Sequence, residues 1–143
     1  MNKNNESIKQ KGGKMIEPHK QQATQVSQSD YVDLAPSILR QRLVIEGYPE
    51  KSITAHEIEE YLSELSNVCG MTTLLDPVTH CSDTYGWAGW IHWETSGAHF
   101  YAWDRPVLFF SVDIYTCKAF SPEDAVEFTQ EFFQATSITS KGF

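Results

Sequence analysis

The chain has 143 residues, 41% of them hydrophobic, with 4 Trp, 6 Tyr and 8 Phe, enough for one packed domain and no more. Eleven basic against nineteen acidic residues leave a net charge of −8, which lacks the basic footprint that nucleic acid or an anionic membrane surface requires. No apolar run approaches the ~20 residues of a membrane span, and the N-terminus lacks the apolar stretch of a signal peptide.

Residues 1–37 are rich in Asn, Gln, Lys and Ser and carry a net charge of +1, against −9 for the remainder. A segment so poor in apolar periodicity cannot offset its ordering entropy by burial, so a disordered polar tail is expected there, with the folded domain over 38–143. Leu39–Tyr48 reads as a strand ended by Gly47 and Pro49. Thr54-Ala55-His56-Glu57 is a capping-box pattern, and Ile58, Tyr61, Leu62 and Leu65 then recur at helical spacing up to a stop at Gly70. Met71–Leu75 reads as a short strand closed by Asp76-Pro77, followed by a loop from Val78 to Tyr85.

From Gly86 the chain turns β-like. Trp87–Glu94, His99–Trp103 and Val107–Cys117 are aromatic and β-branched runs, separated by Ser96-Gly97 and by Asp104-Arg105-Pro106. Ser121 caps a second helix with Pro122 at its first position, Glu123 and Asp124 in its first turn, and an apolar face of Ala125, Phe128, Phe132 and Phe133. Ala135–Thr139 adds a last short strand. The order predicts an α+β fold, a two-layer sandwich with two helices on one face of a mainly antiparallel sheet. Trp87, Trp90 and Trp93 alternate onto both faces of their strand, so the second face also calls for cover, which a homodimer supplies.

Cys69, Cys81 and Cys117 form no CxxC pair and are odd in number, which points to free thiols in a reducing, cytoplasmic compartment. The five histidines, His19, His56, His80, His92 and His99, show no metal-ligand spacing, so no metal is expected. A Gly-rich phosphate loop and a nucleophile elbow are both missing. The acidic body suits a cationic ligand such as a sulfonium or polyamine, and serves solubility equally well. One cluster stands out. Ser96 lies at a strand junction, His99 and Tyr101 follow it, and Cys117 ends the next strand after Asp113. Consecutive strands usually pair, which brings a hydroxyl, an imidazole, a phenol and a thiol toward one another. The bland alternative is a turn serine, a half-buried histidine and an inert core cysteine.

The run Ser111–Cys117 (SVDIYTC), followed by Phe120-Ser121-Pro122 and Ala125, resembles the signature strand and helix of the prokaryotic S-adenosylmethionine decarboxylases. Tyr85-Gly86, with Gly89 beyond Trp87, resembles that family's Tyr-Gly-x-Ser-Gly segment, and the likeness covers about residues 39–139. The resemblance implies a precursor that cuts its own backbone before a serine, which becomes a pyruvoyl group. That ketone condenses with the substrate's α-amine and withdraws electrons as carbon dioxide leaves, and a cysteine returns a proton to the α-carbon. The product feeds spermidine and polyamine synthesis. On this chain Ser96 falls at the pyruvoyl position and Cys117 at the proton donor's, while Tyr85, Trp103 and Asp104 fall in the substrate-binding segments.

The chain departs from the family at several of these places. Thr95 stands where the family has Glu, with Glu94 one place earlier. Tyr101 stands where a histidine assists cleavage, with His99 two residues before it on the same strand face. Ala88 replaces the processing serine, and Ser82 falls where an aromatic stacks on adenine. The substrate-binding acid falls near Asp104-Arg105, where one residue is inserted. A phenol with a pKa of ~10 is a poor base near neutrality. Three readings follow: a divergent pyruvoyl-dependent decarboxylase acting on S-adenosylmethionine or a related amino acid; an unprocessed homologue that binds a ligand or regulates a partner, as a homodimer or paired with a catalytic homologue; and an enzyme acting on the same substrate through Tyr101, His99 or Cys117 without the pyruvoyl group.

Overall fold

A computed structural model of the chain describes residues 32–143, so the expected polar tail lies outside the described residues except for 32–37. The elements run β1 (Gln41–Tyr48), α1 (Ala55–Val68), β2 (Thr73–Ser82), β3 (Gly86–Trp93), β4 (Ser96–Trp103), β5 (Phe109–Thr116), α2 (Pro122–Phe132) and β6 (Ser137–Gly142). They form a six-stranded antiparallel sheet in the order β2-β3-β4-β5-β1-β6, with both helices on one face. This is the α+β arrangement expected from the sequence.

Local chemistry sets both helix starts. At Thr54 the hydroxyl accepts the Glu57 N–H at 3.3 Å and the Glu57 carboxylate accepts the Thr54 N–H at 2.8 Å, a complete capping box. At Ser121 the hydroxyl accepts the Asp124 N–H at 3.2 Å, and Pro122 occupies the first turn, where a missing N–H costs nothing. Alternation along the strands then divides the sheet. Ile45, Ile91, Ala98, Phe100, Val112 and Ile114 point under the helices and are buried. Tyr61 of α1 joins the layers: its ring lies 5.3 Å from Phe100, 5.5 Å from Phe128 and 4.8 Å from Phe133, and its hydroxyl meets Thr129 at 2.7 Å. Burial drives that phenol's pKa far above its ordinary value.

Most strand ends shift by one or two residues from the sequence reading, and three differences matter for the site. β2 does not stop at Leu75 but runs through Asp76-Pro77 to Ser82, leaving only a short turn before Gly86. Proline is tolerated there because β2 is an edge strand, and register shifts between Thr73 and Leu75 and between Leu75 and Val78 absorb the misfit. β4 starts at Ser96 rather than His99, because Glu94-Thr95 alone makes the turn: Trp93 pairs directly with Ser96. The last strand begins at Ser137, since Gln134 and Ala135 still bond back to the end of α2.

Phe100 sits at the centre of the packed rings, fully buried between Tyr61, Phe110 and Phe133. Phe100→Ala is expected to lower the unfolding free energy by about 3–5 kcal/mol in urea titrations. A loss below about 1 kcal/mol contradicts this packing.

Candidate functional site

The β3–β4 turn is where local geometry and reactive groups coincide. Two-residue hairpins fit the twist of their strands when the loop residues take positive φ, as Gly and Asn do readily. Glu94 and Thr95 are not among the positive-φ residues; Ser96 is, at 133°. A non-glycine residue there carries strain of order 1–3 kcal/mol, held in place by its surroundings. Those surroundings are well fixed. Trp93, fully buried, donates its indole N–H to Ser66 of α1 at 2.7 Å. The Glu94 N–H donates to the Thr72 carbonyl at 2.9 Å, and the Cys117 N–H donates to the Thr95 carbonyl at 2.9 Å. After Ser96 comes Gly97, where a Cβ would collide with the Ile91 backbone, so only glycine lets the two strands approach here.

Ser96 and Cys117 meet at this end of the sheet, the serine Oγ 4.0 Å from the cysteine Sγ. They are brought together by the register of β4 on β5, in which Ser96 faces Thr116. Cys117 is exposed. The hydroxyl is on the residue C-terminal to a carbonyl that already accepts a main-chain N–H. A serine so placed can add to the preceding carbonyl carbon while that N–H takes up the developing charge on oxygen. The site therefore fits a group made from Ser96 itself: the side chain is partly open, a thiol stands beside it, and no following Cβ crowds it.

His99 and Tyr101 lie elsewhere. β4 is paired without a break from Ser96 to Trp103, so His99 stands about 10 Å and Tyr101 about 16 Å along the strand from Ser96, at ~3.3 Å per residue. They stack on each other, centroids 6.5 Å apart, on the sheet face opposite the helices. With His80, Ala88 and Trp90 they line a cavity of about 300 Å³. Ala88 and Tyr101 are direct register partners, so the two departures from the family pattern face each other.

Tyr85, Trp103 and Asp104 form a third group, at the far end of the hairpin. Trp103 pairs with Gly86, about 23 Å along the strand from Ser96. Tyr85 accepts the Asp104 N–H on its carbonyl at 3.1 Å, and both residues line a second cavity of about 280 Å³ with Ser82, Asp83 and Arg105. One protomer thus holds Ser96 and Cys117 at one end of the hairpin and the other candidate groups away from it, with the Tyr101 and Trp103 rings 5.8 Å apart. Among the described residues no group of three or more His, Cys, Asp or Glu could hold a metal ion, and no helix is long and apolar enough to cross a membrane.

Two features of the site escaped the sequence reading. Thr116, buried at the end of β5, bonds to Thr95 across the strand ends at 3.1 Å; its only sequence signal is its place beside Cys117. Asp113, from the same signature strand, forms a two-pronged pair with Arg42 at 2.9 and 2.7 Å on the open face. The guanidinium also lies 5.3 Å from the Phe143 ring. Exposed as it is, that pair adds little stability, and it orders the surface between β1 and β5.

The third cysteine behaves differently. Cys69 is buried at the end of α1, and desolvation, with Asp124 nearby, pushes its thiol pKa up to about 12. A disulfide reagent at neutral pH is therefore expected to leave Cys69 unmodified in the folded protein and to reach it on denaturation, as peptide mapping reads out. Rapid labelling of Cys69 under native conditions contradicts this burial.

The family model described as S-adenosylmethionine decarboxylase matches residues 42–143. The crystal structure of the adenosylmethionine decarboxylase from Aquifex aeolicus VF5 is similar in fold, with a TM-score of 0.61 at 17% identity, over 74% of this chain and 89% of that one. No curated protein matches the chain.

Proposed function

We propose, from the premise that the chain belongs to the S-adenosylmethionine decarboxylase family, that it cuts itself between Thr95 and Ser96 and decarboxylates S-adenosylmethionine, a step toward spermidine. The observation that carries this reading is the meeting of Ser96 and Cys117 at 4.0 Å beside a Thr95 carbonyl that accepts the Cys117 N–H at 2.9 Å. A strained serine next to a polarised carbonyl favours attack on that carbonyl, because the ester formed relieves the backbone at Ser96.

A pyruvoyl group derived from Ser96 would supply an electron sink for decarboxylation at this end of the sheet, beside Cys117. Cys117 stands close enough to return the proton to the α-carbon. Asp104 and Tyr85 offer a carboxylate and an aromatic face for a cationic, ring-bearing substrate, and the −8 charge of the chain steers such a substrate inward.

Ser96 and Cys117 lie at one end of the hairpin and Asp104 and Tyr85 at the other, which favours a homodimer. Tyr101, Tyr115 and Trp90 leave large aromatic surfaces on the face away from the helices, 42%, 43% and 39% exposed. A second copy laid on that face with its strands reversed covers this surface. It also sets the Ser96 end of one protomer over the Tyr101 and Trp103 end of its partner.

A second reading, an unprocessed homologue that binds a ligand or pairs with a catalytic relative, is favoured by one observation: Ala88 and Tyr101, paired on the open face, offer a methyl and a phenol where the family offers a hydroxyl and an imidazole. The two readings separate on carbon dioxide release from carboxyl-labelled S-adenosylmethionine. The full-length protein is expected to release label, Ser96→Ala to release none, and Cys117→Ala to fall by about 10²-fold or more. No release from the wild-type protein overturns the decarboxylase reading and leaves the second.

A further inference from the structure

We propose that Thr116 is a positioning residue for scission of the Thr95–Ser96 bond, acting through Thr95 and Cys117; this rests on the self-cleavage proposed above. Thr116 is fully buried where β5 ends. Its Oγ1 accepts the Lys118 N–H at 3.0 Å and lies 3.1 Å from Thr95 Oγ1 and 3.7 Å from Met71 Sδ. Thr95 Oγ1 lies 3.3 Å from the same sulfur.

Each hydroxyl has one proton, and a thioether can only accept. The shorter sulfur contact, from Thr95 at 3.3 Å against 3.7 Å from Thr116, sets the order: the Lys118 N–H donates to Thr116, the Thr116 hydroxyl to Thr95, and the Thr95 hydroxyl to the Met71 sulfur. Met71 is itself held by its N–H on the Ser66 carbonyl at 2.7 Å, and the Lys118 ammonium reaches the Gly70 carbonyl. The relay thus ties the strand ends to the loop after α1.

Two consequences bear on the scissile bond. The relay pins the side chain of the residue that supplies the carbonyl. The turn from Thr116 to Lys118 also aims the intervening Cys117 N–H at the Thr95 oxygen, 2.9 Å away. As the Ser96 Oγ bonds to the Thr95 carbonyl carbon, the carbonyl pair moves onto oxygen, where the Cys117 N–H meets it. The C–N bond then breaks, the hydroxyl proton passes to the freed Ser96 amine, and an ester remains. No co-reactant is needed for this step.

Thr116→Val keeps the shape and removes the hydroxyl; Thr116→Ser keeps the hydroxyl. On denaturing gels of freshly translated full-length chain, Thr116→Val is expected to cut at least about tenfold more slowly than wild type and Thr116→Ser within about threefold. In a Ser96→Ala background, where the chain stays whole, amide exchange of Cys117 is expected to quicken about tenfold with Thr116→Val and not with Thr116→Ser, at unchanged circular dichroism. Wild-type cleavage speed in Thr116→Val, or an unchanged Cys117 exchange rate, overturns the inference. A wild-type chain that never cuts overturns the self-cleavage and this role with it, and the exchange measurement then reports only whether Thr116 orders the Cys117 N–H.

Discussion

The two-residue turn between β3 and β4 is the constraint on which the site depends. Because Trp93 is buried and bonded to Ser66, and Gly97 must pass against Ile91, the register of this hairpin cannot slip. A slip by one residue turns Ile91, Trp93, Ala98 and Phe100 out of the core. With the register fixed and only Glu94-Thr95 left to reverse the chain, the left-handed backbone falls on Ser96. The fold's hydrophobic pattern and the strain at one serine are thus parts of a single arrangement. Consecutive pairing of β4 with β5 then delivers Cys117 to the same place.

The opposite sheet face follows from the same alternation. Every strand that sends one set of side chains under α1 and α2 sends the other set out, and here that other set includes the exposed rings of Trp90, Tyr101 and Tyr115. It carries His99, Tyr101 and Trp90 in one cavity and the Arg42–Asp113 pair beside it. A face so rich in rings, with the chemistry-bearing residues spread along it, gives a reason for the proposed dimer beyond simple burial: separate clusters of one copy become neighbours across a two-fold axis.

Much of this was legible in the chain itself. The capping box at Thr54, the Ser121-Pro122 start and the aromatic runs identified both helices and most strands because each signal is local. The full length of β2 is not legible, because Asp76-Pro77 normally ends a strand, and edge position, which rescues it, is a property of the sheet and not of the segment. Spacing and resemblance single out Ser96 and Cys117 as candidates, and their 4.0 Å approach agrees with consecutive strand pairing. His99 and Tyr101 share a face as alternation requires, yet uninterrupted pairing of β4 carries them away from Ser96. The Thr116–Thr95–Met71 relay was invisible, since three residues 21 to 45 positions apart carry no joint signal until the strand ends meet.

Self-scission is a covalent event, and the mass of the polypeptide records it. Intact-mass measurement on the purified full-length protein is expected to find two chains, one ending at Thr95 and one starting at residue 96, the latter lighter by one ammonia than a serine-ended peptide. A single species at the full-length mass after prolonged incubation contradicts the proposed chemistry and leaves the family's fold without its prosthetic group.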